Sequence, residues 1–128
     1  MILPSLFIAP SELGGRGVFT AEDLDAGLLI EVSPVLILTE EHRSIVEKTA
    51  LNNYIFAWGD DEKKAVVAWG YVSIYNHSYT PNCSYEMDME DDWIRIVTLK
   101  PISSGTELTI NYLGDDPKPD EKVWFEAK

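Results

Sequence analysis

Residues 74–82 read Ile74-Tyr75-Asn76-His77-Ser78-Tyr79-Thr80-Pro81-Asn82 and place a ring base, two amides, hydroxyl groups and a rigid proline directly after an apolar run. Asn and Ser form hydrogen bonds with nearby backbone and Pro fixes φ, so the stretch has the composition of a turn. Apolar segments typical of β-strands lie close to it. We therefore interpret it as the wall of a pocket, and the alternative is a polar turn in solvent.

Two other motifs accompany this stretch. The earlier one is Gly14-Gly15-Arg16-Gly17-Val18-Phe19, and the later one is Gly105-Thr106-Glu107-Leu108-Thr109-Ile110-Asn111-Tyr112. In this order the three motifs resemble those of the SET domain family of protein-lysine methyltransferases, across residues 14–112. The chain has neither of the Cys-rich zinc segments that many members carry, so it is most similar to the minimal viral-type members.

The resemblance implies a mainly β fold, the SET-type β-clip fold of short strands in small sheets with one or two short helices and a C-terminal pseudoknot. In the pseudoknot, the segment that ends at Tyr112 passes under a loop formed by the residues before it. This threading would bring Tyr112 beside Asn76 and His77, although the two motifs are far apart in the sequence.

The pattern of apolar residues and turn formers predicts short strands in agreement with such a fold. Residues 28–32 and 35–38 are expected to form two strands split by Pro34. Thr39 followed by acidic residues predicts a helix that runs to about residue 53, with His42 facing solvent in its first turn, and residues 70–75 predict a single helical turn. The other predicted strands are residues 6–9, 18–20, 54–58, 65–69, 83–88, 93–99 and 107–112.

Length and composition indicate one compact domain. The chain has 128 residues, of which 45% are hydrophobic, enough for a single core. We assign residues 1–114 to the SET domain and residues 115–128 to a polar C-terminal tail that could close over the active site. Cys83 is the sole cysteine, which excludes an intramolecular disulfide and a cysteine-based zinc cluster.

The charge of the chain limits its partners. Ten Lys and Arg against 22 Asp and Glu give a formal net charge of −12, which repels phosphate and anionic lipid and attracts basic polypeptides. We expect a basic, lysine-containing protein or peptide such as a histone tail as partner, with no direct nucleic acid and no membrane. Solubility alone is the alternative explanation of the charge. Small members of the family can pair, so a homodimer is possible.

The N-terminus predicts no secretion signal. Its apolar run is interrupted by Pro4, has no basic region before it and is too short to span a bilayer. We therefore expect a soluble intracellular protein, cytoplasmic or, in a eukaryotic cell or host, nuclear.

The resemblance implies transfer of a methyl group from S-adenosyl-L-methionine to a lysine amine. Tyr112 stands at the position of the family's catalytic tyrosine, and its hydroxyl would orient the amine and the methyl group. Tyr54 would line the lysine channel. Ile110 stands where Phe or Tyr often limits the number of methyl groups, so its smaller side chain favours di- or trimethylation. A direct displacement needs alignment and a neutral amine, and neither requires a strong base.

The cofactor-binding residues implied by the resemblance come from separate parts of the chain. The Asn76 side chain and the backbone around His77 would hold the methionyl amine and the adenine, so His77 would not act as a general base. Glu107 is expected to be a structural strut of the pseudoknot. The full cofactor-binding set is Gly15, Arg16, Gly17, Asn76, His77, Tyr112 and Trp124.

Other functions also fit these features. A non-catalytic SET-like module would bind a basic peptide or the cofactor without transfer, and an acidic β domain would serve only as an interaction surface. Binding of cofactor without turnover would identify the first, and failure to bind cofactor would favour the second. The acidic residues 86–92 do not have the spacing of an EF-hand loop, so we interpret them as a charged hairpin tip and expect no metal site.

Overall fold

The computed structural model describes residues 1–113, which form two small β-sheets with short helical segments between their strands. The helical segments are α1 (Glu40–Val46) and two 3₁₀ helices, Ala50–Tyr54 and Val72–Ile74. The strands are β1 (Leu6–Pro10), β2 (Arg16–Thr20), β3 (Leu29–Leu38), β4 (Ile55–Trp58), β5 (Lys64–Ala68), β6 (Asn76–His77), β7 (Cys83–Asp88), β8 (Trp93–Thr98) and β9 (Glu107–Ile110). The predicted mainly β fold of short strands is confirmed.

The first sheet has the strand order β1-β2-β9-β6 and joins distant parts of the chain. Strand β6 runs parallel to β9, with Asn76 opposite Thr109 and His77 opposite Ile110. The Asn82 side chain reinforces the pairing, because its Nδ2 donates to the Glu107 carbonyl (2.8 Å) and its Oδ1 accepts from the Thr109 N–H (2.8 Å). This is the proximity of the two motifs that the pseudoknot predicts.

The second sheet has the order β4-β5-β3-β8-β7, and its central strand corrects one prediction. Strand β3 is continuous, although two strands split by Pro34 were expected. Residues from Leu29 to Pro34 pair with β8, and residues from Val35 onward pair with β5 on the opposite edge. Proline lacks an N–H group and cannot donate a backbone hydrogen bond. Because Pro34 lies where β3 changes its partner strand, few hydrogen bonds to β8 or β5 are lost.

The helical region is shorter than the sequence predicts. Thr39 caps α1 as expected, since its side chain accepts from the His42 N–H (3.1 Å), and His42 is exposed. The helix ends at Val46, and a separate 3₁₀ helix follows that ends at Tyr54, so β4 begins one residue later than predicted. No residue of α1 is buried, which explains the early end, because helices in proteins are stabilised mainly by the packing of an apolar face.

One hydrophobic core joins the two sheets. Buried side chains from both sheets contact one another, among them Val18 and Leu108 of the first and Ile94 and Ile96 of the second. Cys83 lies in this core and Tyr85 and Met87 pack against it, as the period-two pattern of β7 predicts. Within residues 1–113 no helix has the length and apolarity needed to cross a bilayer.

Candidate active site

A tight helical turn leads into the central motif, residues 74–82, and into the first sheet. Gly70 has a φ of +71°, a conformation that glycine adopts without strain. The 3₁₀ helix Val72–Ile74 follows, as predicted, and the chain then enters β6 at Asn76. Asn76 and His77 thus stand on a sheet strand, while residues 78–82 form an irregular segment in which Tyr79 is exposed.

The Asn76 side chain links strand β6 to the glycine-rich segment, residues 14–17, which leads into β2. Its Nδ2 lies 2.8 Å from Glu107 Oε2, 3.2 Å from the Arg16 carbonyl and 3.3 Å from the Gly14 carbonyl. All three neighbours are acceptors, so the orientation of the amide is determined by its surroundings. The amide nitrogen therefore links three motifs at one point. They are the early motif (residues 14–19), the central motif (residues 74–82) and the late motif (residues 105–112).

Glu107 occupies the other side of this junction. Its Oε1 accepts a hydrogen bond from the Ser11 hydroxyl (2.6 Å), and its Oε2 accepts the bond from Asn76. A carboxylate that is held by both oxygens is positioned as a bridge between segments. These contacts support its interpretation as a strut.

Gly17 is buried against the same pair of side chains. A Cβ atom at this position would lie 2.2 Å from Glu107 Oε2 and 3.0 Å from Asn76 Nδ2. Gly15, by contrast, has open space around it but a φ of +52°, a backbone conformation that favours glycine. The predicted Gly15-Arg16-Gly17 segment thus lies directly beside Asn76.

His77 is only 4% exposed, and its imidazole contacts Tyr112. The Nδ1 atom accepts a hydrogen bond from the Tyr112 N–H (3.1 Å), and the two rings lie 5.2 Å apart. Burial lowers the pKa of His77 below its ordinary value of 6.5. The ring is therefore neutral near pH 7. Its Nδ1 lone pair already accepts from the Tyr112 N–H, which supports the interpretation that His77 is not a general base.

Tyr112 is held in place by both its hydroxyl and its backbone. The hydroxyl donates to the Tyr75 carbonyl (2.6 Å), and the Tyr112 carbonyl accepts from the Tyr85 hydroxyl (3.1 Å). Burial, with the nearby Glu107 and Tyr54, raises the pKa of Tyr112 to about 12. The hydroxyl is therefore protonated at neutral pH, and its oxygen keeps lone pairs that can accept a hydrogen bond from an amine.

The two residues predicted to line the lysine channel differ in exposure. Tyr54 is 50% exposed at the end of its 3₁₀ helix, and its carbonyl accepts from the Ser73 hydroxyl (2.7 Å). Ile110 is fully buried and belongs to the core against which Tyr112 packs. Trp124, the last predicted cofactor residue, lies outside the described residues.

Glu31 is the main residue near the site that the sequence analysis did not identify. It is fully buried, and its Oε1 accepts a hydrogen bond from the Tyr75 hydroxyl (2.9 Å). The sequence does contain a signal for this residue. Glu31 is the single acidic residue in the apolar segment Leu29–Leu38, and a buried carboxylate requires hydrogen-bond partners.

The acidic hairpin tip is explained by local contacts. The Asp88 carboxylate accepts from Arg95 Nη2 (2.5 Å) and from the backbone N–H groups of Glu90 and Asp91 (3.0 Å each). Among residues 1–113 no group of His, Cys, Asp and Glu side chains is arranged to hold a metal ion.

Comparison with known proteins identifies the family. Residues 15–113 match the SET domain family. A histone-lysine N-methyltransferase of Schizosaccharomyces pombe, H3 lysine-37 specific, is 37% identical over 127 residues, which are 98% of this chain and 80% of the relative. Human histone-lysine N-methyltransferase 2B is 33% identical over 109 residues, which are 80% of this chain but 4% of the human protein.

Two solved structures share the fold. A Plasmodium falciparum protein, solved as a histone methyltransferase candidate, has a TM-score of 0.71 and 26% identity, over 90% of this chain and 97% of that chain. A chain of Polycomb Repressive Complex 2 from Chaetomium thermophilum has a TM-score of 0.73 and 22% identity, over 92% of this chain and 17% of that chain. The second likeness concerns the fold alone. The chain described here therefore belongs to the SET domain family of protein-lysine methyltransferases.

Proposed function

We propose that this chain transfers a methyl group from S-adenosyl-L-methionine to a lysine of a basic polypeptide, with a histone tail as the first substrate to test. The observation that carries the proposal is the position of the Tyr112 hydroxyl. It is fixed on the Tyr75 carbonyl at 2.6 Å, next to the Asn76-His77 motif. A fixed hydroxyl at this point is suited to aligning two reactants.

The residues around Asn76 fit the proposed cofactor. Gly17, in β2, leaves no room for a Cβ beside Asn76 and Glu107, so its backbone lies close against these two side chains. Backbone groups of Gly15, Arg16 and Gly17, with Asn76 and the backbone around His77, would hold the methionyl end and the adenine. The bound cofactor would supply an electrophilic methyl group on a sulfonium. A contribution from Trp124 stays a prediction.

The chain's aromatic residues would favour a neutral lysine amine. At an ordinary pKa of 10.4, deprotonation at pH 7 costs about 4–5 kcal/mol. Tyr112 is half-buried, Phe56 packs edge-on against it at 6.4 Å between centroids, and Tyr54 lies nearby. Such apolar surroundings disfavour an ammonium. Because the Tyr112 hydroxyl donates to Tyr75, its oxygen would accept from the amine and orient the nitrogen lone pair towards the methyl group.

The substrate class is supported by charge. The net charge of −12 favours association with a lysine-rich tail. The relative from Schizosaccharomyces pombe is named for a histone lysine, so histone H3 is a reasonable first substrate. Action on histones would require access to the nucleus or to newly made histones in the cytoplasm.

The homodimer and the addition of more than one methyl group stay predictions. Light scattering would test the homodimer, and mass spectrometry of the product would test the number of methyl groups.

The proposal is tested with radiolabelled S-adenosyl-L-methionine and a mixture of core histones. Wild type and Tyr112→Phe are compared, and cofactor affinity and thermal midpoint are measured for both. We expect label in a histone with wild type and a loss of about 100-fold in the variant, while the fold is retained. Cofactor binding by wild type without label in any basic protein would favour the non-catalytic module. Failure of wild type to bind the cofactor would overturn the proposal.

A further inference from the structure

A buried carboxylate lies under the segment that carries the candidate site. Glu31, in the middle of β3, is fully buried, and its two oxygens accept three hydrogen bonds. Oε1 accepts from the Tyr75 hydroxyl at 2.9 Å, and Oε2 accepts from the Ser33 hydroxyl at 2.6 Å and from the Tyr71 N–H at 2.8 Å. Burying a carboxylate costs free energy unless such donors are supplied. The three donors must therefore be held in place around Glu31.

Two of these three donors come from the ends of one short segment. Tyr71 begins the turn that contains the 3₁₀ helix Val72–Ile74, and Tyr75 ends it. The carboxylate therefore fixes both ends of the turn that leads into Asn76 and His77. Gly70 contributes to the close fit, since a Cβ there would lie 2.4 Å from Glu31 Oε2 and 2.3 Å from Ser33 Oγ.

Tyr75 links this network to the candidate catalytic residue. Its side chain is fully buried and bonded to Glu31, while its backbone carbonyl accepts the hydrogen bond from the Tyr112 hydroxyl. The position of that carbonyl therefore depends on where the Tyr75 side chain is held. Two successive hydrogen bonds connect Glu31 to the Tyr112 hydroxyl through one residue.

We propose that Glu31 is a positioning residue of this methyltransferase, which acts through Tyr75 to place the Tyr112 hydroxyl. Glu31 touches neither reactant. The inference rests on the proposed function of Tyr112, and it assigns to a core carboxylate of β3 an effect on the rate of methyl transfer. A carboxylate that served stability alone would have no such effect on turnover by folded protein.

The chain offers a matched pair of variants to test this. Tyr75→Phe removes the side-chain donor that connects Glu31 to Tyr75, and Ser33→Ala removes a donor to the same carboxylate that comes from β3 itself and not from the turn. Glu31→Gln is the conservative variant, because its oxygen can accept from Tyr71 and its NH₂ group can donate to the Tyr75 hydroxyl. Thermal midpoints show that each variant is folded at the assay temperature.

Two readouts separate positioning from stability. The first is kcat with saturating histone and cofactor. We expect a decrease of about tenfold in Tyr75→Phe, a change within about twofold in Ser33→Ala, and an intermediate value in Glu31→Gln. The second is the ¹³C resonance of Tyr112 Cζ in selectively labelled protein, which should move in Tyr75→Phe and not in Ser33→Ala.

The second readout needs no turnover, so the two proposals can fail separately. Wild type without methyl transfer would overturn the proposed function, while the Tyr112 resonance would still report its position. An unmoved Tyr112 resonance in Tyr75→Phe would overturn the role of Glu31. Unchanged kcat in both Tyr75→Phe and Glu31→Gln would overturn it as well, because the folded variants would then turn over without the contact between Glu31 and Tyr75.

Discussion

The Tyr112 hydroxyl lies 2.6 Å from the backbone carbonyl of Tyr75, a residue 37 positions earlier in the chain. This hydrogen bond joins the end of the late motif to the residue just before Asn76. Strand β6 pairs with β9 in parallel, and the Tyr112 side chain, which follows β9, reaches back to Tyr75, which precedes β6. The hydroxyl has a defined direction before any ligand binds, and preorganisation of this kind is favourable for catalysis.

The pH dependence of turnover should follow the substrate amine and not Tyr112. Burial raises the pKa of Tyr112 to about 12, so its hydroxyl remains protonated while the lysine amine, with an ordinary pKa near 10.4, loses its proton. At subsaturating peptide, where the rate reports the free lysine amine, we expect methyl transfer to rise by up to about tenfold per pH unit between about pH 7 and 9.5. Circular dichroism across this range provides the control for folding. A fall in rate above pH 8 with folded protein would contradict the protonated hydroxyl.

Gly17→Ala should disturb the junction of the three motifs. The new Cβ would lie 2.2 Å from Glu107 Oε2, and that carboxylate cannot move away freely because Ser11 and Asn76 both hold it. We expect a loss of about 2 kcal/mol in the free energy of unfolding together with weaker cofactor binding, measured by urea denaturation and calorimetry.

Gly27→Ala is the matched control for Gly17→Ala. Gly27 has open space around it but a φ of +72°, so alanine there costs about 1 kcal/mol through backbone strain alone. Cofactor affinity should be unchanged in this control. Unaltered cofactor affinity in Gly17→Ala as well would argue against the proposed role of the glycine-rich segment.

Asn76→Asp should place two carboxylates against each other. The Asn76 Nδ2 is the donor to Glu107 and to the Arg16 carbonyl, and an aspartate would replace it with an acceptor. We expect a loss of about 3 kcal/mol in the free energy of unfolding, because hydrogen bonds to a charged group are lost and like charges are brought together. Urea denaturation at pH 7.5 measures this loss.

Glu107→Gln in the Asn76→Asp background supplies the control. The glutamine NH₂ group can donate to the new carboxylate, so the double variant should be more stable than Asn76→Asp, although the bonds to the carbonyls stay lost. An interaction energy near zero in the double-mutant cycle would mean that the Asn76–Glu107 contact contributes little to stability.

The local parts of this structure could be predicted from the residues themselves, and contacts between distant parts could be predicted only where the resemblance implied them. Thr39 predicted the helix cap, and the alternation in β7 predicted which of its side chains reach the core. Both patterns lie within a few residues of sequence. The link between Glu31 and Tyr75 spans 44 residues and has no local signal at Tyr75. The continuous β3 was missed for a related reason, since the change of partner at Pro34 is a property of the sheet.

The candidate site was predicted through motifs more than through chemistry. The resemblance placed Asn76, His77 and Tyr112 in one site, and the parallel pairing of β6 with β9 brings them together. The roles of Tyr54 and Ile110 in the lysine channel stay predictions. Ile110 is fully buried in the core.

His77 should make the protein less stable in mild acid. The imidazole is buried, its Nδ1 accepts from the Tyr112 N–H, and burial lowers its pKa below the ordinary 6.5. Between the lowered value and 6.5, the unfolded chain therefore binds more protons than the folded chain. The contribution of His77 to the free energy of unfolding therefore decreases as pH falls through 6.5, and this decrease ends below the lowered pKa.

The second histidine provides the control, since the chain has two. His42 is exposed on α1, so His42→Gln should retain the decrease in the free energy of unfolding between about pH 7.5 and 5.5. In His77→Asn the decrease should be largely lost, although the variant is less stable overall, because the asparagine Oδ1 can accept from Tyr112 at either pH. Urea denaturation at several pH values measures the slopes. Equal slopes in wild type and both variants would show that another group causes the acid sensitivity. The contact with Tyr112 would then not depend on a neutral His77.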